Sequence, residues 1–382
     1  MPLQDDLYES LRPFAEALAQ AIGSEQPDTT IPPGTPEPEP LPPAKPVPEP
    51  VRGKFHLCGV NMSMGSGGAI VLPGVHGTNY QWADASWYDL YRTRGCYLFR
   101  TGFLWERVQT SPGAELVASE MRRIETALAA AKRNGQKVIL DMHNYGRYFG
   151  EVISPASKKA TPKAFANCWH KIINHLKPLD CYDALLACGL MNEPYGEADK
   201  TWFGAAQEAI DAIAAADPDM WVTVAGCGWS SAMLFPKISD HLKGLTHPKG
   251  KDRIIMEAHQ YLDPNSSGKY ADRAQQFDPM IGVARVKPFV DWCKANGFTA
   301  YLGEYGLPPN NESAMVATRN LLDYLLKERV MSTIWCAGPW WTPGDVTALD
   351  TTHGAAGTGP VRSQLTTVMP YFTETADKLG PI

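Results

Sequence analysis

The sequence predicts an α/β fold that closes as a (β/α)8 barrel, preceded by a short helix and a Pro-rich linker. Three observations carry this. Eight short apolar runs of strand length recur across residues 53–382. Helical stretches lie between several of them and end where Gly or Pro stops a helix. A doubly wound open sheet, the alternative, wants a Gly-rich phosphate loop after a strand. "MGSGGA" (64–69) has neither the GK[ST] of such a loop nor GxGxxG spacing, and reads as a flexible loop.

The first element is a helix within residues 1–26. Leu7, Leu11, Phe14, Leu18 and Ile22 recur at spacings of three and four, which lines one face. A lone helix this short is marginal in water, so the stripe reads either as a helix that frays in solution or as one that docks on a larger assembly, such as a cell surface or a phage particle. "MPLQDDLYES" is acidic and no apolar h-region follows, so the start does not read as a signal peptide. Residues 27–52 form the linker. Eleven of the 32 prolines fall within 27–50, alternating with Glu in places. Such a stretch favours extended polyproline II and buries nothing. Residues 53–382 are the globular domain.

Within it the strand-like runs are 55–60, 96–100, 137–142, 185–191, 221–225, 253–258, 299–303 and 331–336, with helices at 118–134, 201–216 and 312–329 among the connections. Polar groups follow the runs with regularity. Asn61 follows the first and Arg100 ends the second. Asp141, His143 and Asn144 end the third, Asn192 and Glu193 the fourth. Trp229 lies past the fifth, His259 and Tyr261 follow the sixth, Glu304 and Tyr305 the seventh, and Trp335 ends the eighth. In a barrel of this class the C-terminal strand ends share one rim, where active sites are built.

The fourth run, "LLACGLMNEPYG" (185–196), shows the logic. Pro194 has no N–H and cannot continue a parallel ladder, so the chain must leave the sheet there. Glu193 is thereby held at the rim, and Asn192 offers an amide beside it. A second carboxylate, Glu304 in "AYLGEYG", ends the seventh run across the barrel. Two carboxylates facing one cavity suit glycosidic cleavage, one protonating the leaving oxygen while the other attacks or activates water.

Composition narrows the alternatives. A net charge of −6 argues against nucleic acid, and no apolar run approaches a membrane span. The 11 Trp offer flat faces suited to sugar rings. None of the eight Cys forms a CxxC pair, which argues against a zinc ribbon. Most read as free thiols, with Cys168 and Cys181 the pair to check. His143 and His259 lack HxH or HExxH spacing, so no metal and no cofactor is expected. A non-catalytic sugar-binding barrel would need a lost carboxylate, and both are present.

From about 55 to 345 the chain resembles glycoside hydrolase family 5, closest to its fungal-type endo-β-1,4-glucanases. The stretches that carry the resemblance are "GVNMS" (59–63), "LPGVHGTNYQW" (72–82), "FRTGFLWERV" (99–108), "LDMHNYGRY" (140–148), "GLMNEPYG" (189–196), "EAHQYLD" (257–263), "LGEYG" (302–306) and "IWCAGPWW" (334–341). The resemblance implies a polysaccharide substrate, action outside the cell and a retaining double displacement. In it Glu193 is the acid/base, Glu304 the nucleophile, Asn192 the holder of the sugar 2-hydroxyl and Arg100 the partner that keeps Glu304 ionised. His143, Asn144 and His259 line the same subsite, Tyr261 orients Glu304 or contacts the oxocarbenium-like transition state, and Trp335 is a sugar platform followed by a cis bond to Cys336. The chain departs from its relatives at "MGSGGA", at Tyr195, where His is more usual, and in "TPGDVTALDTTHGAAGTG". Related enzymes cut mannan, xylan or mixed-linkage glucan, so the sugar stays open.

Overall fold

A computed structural model describes residues 50–63, 65–68, 70–350 and 361–381. The helix within 1–26 and nearly all of the 27–52 linker lie outside the described residues.

Eight parallel strands close into a barrel. They are β1 (Cys58–Met62), β2 (Leu98–Phe103), β3 (Lys137–Met142), β4 (Leu185–Gly189), β5 (Trp221–Ala225), β6 (Ile254–His259), β7 (Thr299–Tyr305) and β8 (Met331–Ala337). The (β/α)8 expectation holds, and all eight runs are strands. The first run is divided, however. Phe55–His56 pairs antiparallel with Thr375–Ala376, and the barrel strand begins only at Cys58. An apolar run shows burial, not the point at which its pairing partner changes.

Local chemistry sets the helix limits. Thr161 caps Pro162–Leu176 by accepting from Ala164 N, and the Pro stands in the first turn, where its missing N–H costs nothing. The Asn311 side chain does the same for Glu312–Lys327. Gly297, at φ 72°, ends Ile281–Asn296 in the left-handed conformation. The helices at 118–134 and 201–216 appear as Ala118–Arg133 and Trp202–Ala216.

Strand period two divides the side chains between two environments. Phe99, Val138, Leu140, Cys188, Val222, Met256 and Leu302 belong to the core that also holds helix residues such as Trp169, Ile172 and Ile210. The alternate residues Leu98, Ile139, Ala187, Ile255, Tyr301 and Met331 form a separate apolar cluster inside the barrel. Two residues further along the same strands stand Arg100, Asp141, Gly189, Glu257, Gly303 and Thr333. The interior is thus layered, with an apolar plug below and a buried polar layer above it. Gly303 is required there, because a Cβ would lie 2.3 Å from Glu257 Oε1.

All eight cysteines are free and buried, Cys168 and Cys181 included. No helix among the described residues is long and apolar enough to cross a membrane.

Candidate active site

Arg100 is the hub of the polar layer. It stands inside β2 rather than at its end, 1% exposed. Its Nη1 donates to Asn61 Oδ1 (3.0 Å) and Glu304 Oε1 (3.1 Å), and its Nη2 donates to Asn192 Oδ1 (2.7 Å). Asp141 Oδ1 lies 3.0 Å from Nη2 and Glu257 Oε1 lies 2.9 Å from Nε, as ion pairs. Those two contacts are close but misaligned for hydrogen bonding, since neither Nε nor Asp141 Oδ1 has a hydrogen-bond partner. Burial alone would lower the guanidinium's pKa; Asp141, Glu257 and Glu304 raise it instead. Removing this charge leaves acids unpaired in the barrel. Arg100→Met is therefore expected to destabilise the fold by about 3–5 kcal/mol, measured by urea denaturation. A variant as stable as the parent would remove Arg100 from the centre of the layer.

Glu304 reaches the site through a bulge. Inward-facing Tyr301 and Gly303 set the phase of β7, which would turn Glu304 outward. The register against β6 shifts between Leu302 and Glu304, so that Leu302 pairs with Ala258 and Glu304 with His259. One extra residue flips the phase and re-aims the side chain. Glu304 Oε1 then meets Arg100, and Oε2 accepts from Tyr261 OH at 2.8 Å.

Glu193 follows β4 at φ 43°, in the left-handed region a non-glycine residue avoids. The next residue is Pro194. Glu193 Oε1 lies 2.6 Å from His259 Nδ1, and its side chain is 15% exposed, against 6% for Glu304. One oxygen of Glu193 and one of Glu304 are within 4.8 Å of each other. Burial is the larger cause that raises the Glu193 pKa, and the Glu304 charge is the second.

His259 binds three acids together. Its Nε2 faces Glu257 Oε1 at 3.1 Å, and its Nδ1 lies 3.7 Å from Glu304 Oε2 as well as against Glu193. Burial opposes its charge, yet Glu304, Glu193 and Glu257 raise its pKa to about 10. That charge contributes stability in full below 6.5, and the contribution is lost as pH rises through about 10. For Glu257, burial is overcome by Arg100 and by the hydrogen bonds of His259 and Thr223, and the pKa falls to about 2. Its contribution is present above 4.5 and is lost as pH falls through about 2.

The remaining predicted residues divide. Asn192 is 0% exposed; its Oδ1 is held by Arg100, while Nδ2 has no protein partner. His143 Nδ1 pairs with Asp141 Oδ2 (2.7 Å), Nε2 contacts Tyr145 OH (3.2 Å), and the ring stacks on Trp335 at 5.4 Å. Trp335 is followed by a cis bond to Cys336. Asn144 does not fit a substrate role. Its Oδ1 accepts from Trp105 N (2.7 Å) and its Nδ2 donates to Glu106 Oε2 (2.6 Å), so both ends tie loops together.

Sequence reasoning missed Glu257 and Arg107. Glu257 was visible as a lone acid inside the apolar run "IIMEAH". Arg107 carried no such signal. It donates to the carbonyls of Gly65 (2.6 Å), Gly67 (2.6 Å), Gly68 (3.4 Å) and Pro73 (3.0 Å), and so anchors the glycine-rich loop that was expected to be flexible.

Glu193, His259 and Glu304 are close enough together to be tested as metal ligands. Both His259 nitrogens face carboxylates, which suits a doubly protonated imidazolium with no lone pair to give a metal. The geometry instead offers a carboxyl group gripped by two donors, Arg100 and Tyr261, facing a second acid whose proton is favoured. That pair can give a proton and attack carbon on one bound molecule.

Comparison with known proteins agrees with this chemistry. The family described as Cellulase (glycosyl hydrolase family 5) matches residues 59–340. Endo-beta-1,4-glucanase B of Aspergillus niger is 30% identical over 293 residues, covering 75% of this chain and 83% of that protein. Among solved structures, Pseudomonas stutzeri endoglucanase Cel5A in complex with cellobiose is 37% identical. It superposes with a TM-score of 0.78 over 86% of this chain and 95% of that one. The endo-beta-1,4-glucanase Xac0029 from Xanthomonas axonopodis pv. citri is 28% identical, with a TM-score of 0.74 over 84% and 99%. A family match spanning most of the barrel, on a fold that carries a facing acid pair, makes this chain a glycoside hydrolase of family 5.

Proposed function

We propose that the chain cleaves internal β-1,4 bonds of a glucan with retention of anomeric configuration. The observation that carries this is the separation of the two acids. Oxygens of Glu193 and Glu304 within 4.8 Å fit the close pair of a double displacement, about 5–5.5 Å, and not the roughly 6.5–9.5 Å that leaves room for water in an inverting site. The endo-β-1,4-glucanase names of the relatives support the choice of polymer.

In this reading Glu304 attacks the anomeric carbon, gripped by Arg100 and aimed by Tyr261. Glu193 protonates the departing oxygen and then removes a proton from the incoming water. The partnerless Asn192 Nδ2 donates to the sugar 2-hydroxyl. An unmet buried donor costs about 1–3 kcal/mol, and that cost is recovered only when substrate is bound. His143 supports Trp335 as the ring platform for the sugar before the cut. We also propose that the enzyme works on polysaccharide outside the cell, with the apolar stripe of residues 1–26 as its tether.

Carboxymethyl cellulose, mannan, xylan and mixed-linkage β-glucan, assayed side by side, test the reading. Carboxymethyl cellulose is expected to lose viscosity quickly, proton NMR to show β-configured first products, and EDTA to leave the rate unchanged. First products in the α configuration would overturn retention. A preference for mannan or xylan would replace the glucan, and a rate lost to EDTA and restored by a divalent cation would overturn the metal-free chemistry.

A further inference from the structure

We infer that Arg147 and Tyr195 are positioning residues that hold Trp229 as a rigid wall on the leaving-group side of Glu193. The inference rests on the proposed retaining cleavage and concerns what fixes that wall.

The backbone at Trp229 is unusual. Gly228, Trp229 and Ser230 run consecutively at φ 59°, 62° and 53°. Glycine tolerates this; a bulky aromatic residue does so only where its surroundings impose it. Here they do. Trp229 N donates to Pro194 O (3.1 Å), directly behind Glu193, and Gly228 N donates to Asp199 Oδ1 (3.0 Å). Ser230 Oγ donates to Glu257 O (2.8 Å). The indole is thus tied at its base to the loop of one acid and the strand of another.

The ring is fixed separately. Tyr195 lies on the indole with centroids 3.7 Å apart and planes 10° from parallel. The Arg147 guanidinium covers the Tyr195 ring at 3.9 Å, and its Nη1 donates to Tyr145 O at 2.7 Å. Tyr145 makes a T-shaped contact with Trp229 at 5.9 Å and touches His143 with its hydroxyl. A cation, a phenol and an indole therefore form one stack, buttressed by Tyr145, which joins it to the Trp335 side. Trp229 is nevertheless 49% exposed. Tyr195 covers one face of the indole and Tyr145 makes a T-shaped contact with it, and about half of the residue stays open to solvent. A flat apolar face beside a proton donor, held against rotation, fits the axial C–H face of a pyranose in the leaving group.

The stack is read through a ratio. kcat/KM on a β-1,4-gluco-oligosaccharide, whose leaving group is sugar, is divided by kcat/KM on an aryl β-cellobioside, which has none. Tyr195→Leu fills the volume without a flat face and is expected to lower the ratio about fivefold, mainly through KM of the oligosaccharide. Tyr195→Phe restores it to within about twofold, and Arg147→Met lowers it by about two- to threefold. Trp229→Ala lowers it as well, and adding Tyr195→Leu to Trp229→Ala produces no further drop, because Tyr195 acts through the indole. A Tyr195→Leu ratio within twofold of the parent, or full additivity with Trp229→Ala, overturns the inference. If Tyr195→Leu does not fold, the Arg147→Met ratio decides in the same way. Failure of the parent enzyme to cut any β-1,4-gluco-oligosaccharide would instead be failure of the proposed function.

Discussion

Glu304→Gln is expected to lower kcat on soluble β-1,4-glucan by on the order of 10⁶-fold, the scale seen when a covalent nucleophile is deleted, with the fold intact. The amide is nearly the same shape as the carboxylate. Its oxygen can accept from Arg100 Nη1, as Glu304 Oε1 does at 3.1 Å, and its NH2 can donate to the Tyr261 hydroxyl, which now accepts. What is lost is the negative charge that, in the proposed mechanism, attacks carbon. Among the described residues no other carboxylate is grouped with Glu193 and His259 as Glu304 is, so nothing replaces it. Turnover measures the loss. A slowly hydrolysed activated glycoside checks the cause: intact mass spectrometry should show one glycosyl adduct on the parent enzyme and none on the variant. A residual rate within about 100-fold of the parent would remove Glu304 from the nucleophile role.

The strands and both carboxylates were legible in the sequence because each leaves a local mark. An apolar run that ends in Asn-Glu-Pro states burial, a polar rim and a forced exit within a few residues. The hub was less legible. Arg100 was read as the end of a strand, since its run appeared to stop at a charge, yet β2 continues to Phe103. A charge inside a barrel strand is tolerable only because other strands bring Asp141, Glu257 and Glu304 to it. Those partners are 41, 157 and 204 positions away along the chain, and no local pattern announces them. The β7 bulge was invisible for a related reason. Strict alternation would have faced Glu304 away from the cavity, and only the pairing with β6 shows the extra residue. Asn144 is the converse case, a rim position read as available for substrate whose two ends are consumed by Trp105 and Glu106.

Glu193→Ala is expected to cost about 10²–10⁴-fold on unactivated glucan, the range for a positioned general acid, and far less on an aryl cellobioside with a good leaving group. The departing phenolate needs little protonation, so losing the donor slows mainly the second step, when water must be deprotonated. The pH profile gives an independent reading. Burial first and the Glu304 charge second raise the Glu193 pKa above its ordinary 4.5. The acid is therefore still protonated in a range where a free glutamate would be ionised, and the alkaline limb of kcat/KM should report its loss. In Glu193→Ala that limb should disappear on the activated substrate. Only one of the two causes persists through the cycle. In the proposed double displacement, esterifying Glu304 to sugar removes its charge, burial alone remains, and the Glu193 pKa falls, which suits a base that must then accept a proton from water. The stability consequence has a definite sign. A carboxyl that holds its proton more tightly when folded makes the fold less stable as pH rises from 4.5 through the raised pKa. Glu193→Gln should therefore melt at a higher temperature than the parent at neutral pH, with the difference vanishing below about pH 4. An equal loss of rate on both substrates, with the alkaline limb unchanged, would take the acid/base role away from Glu193.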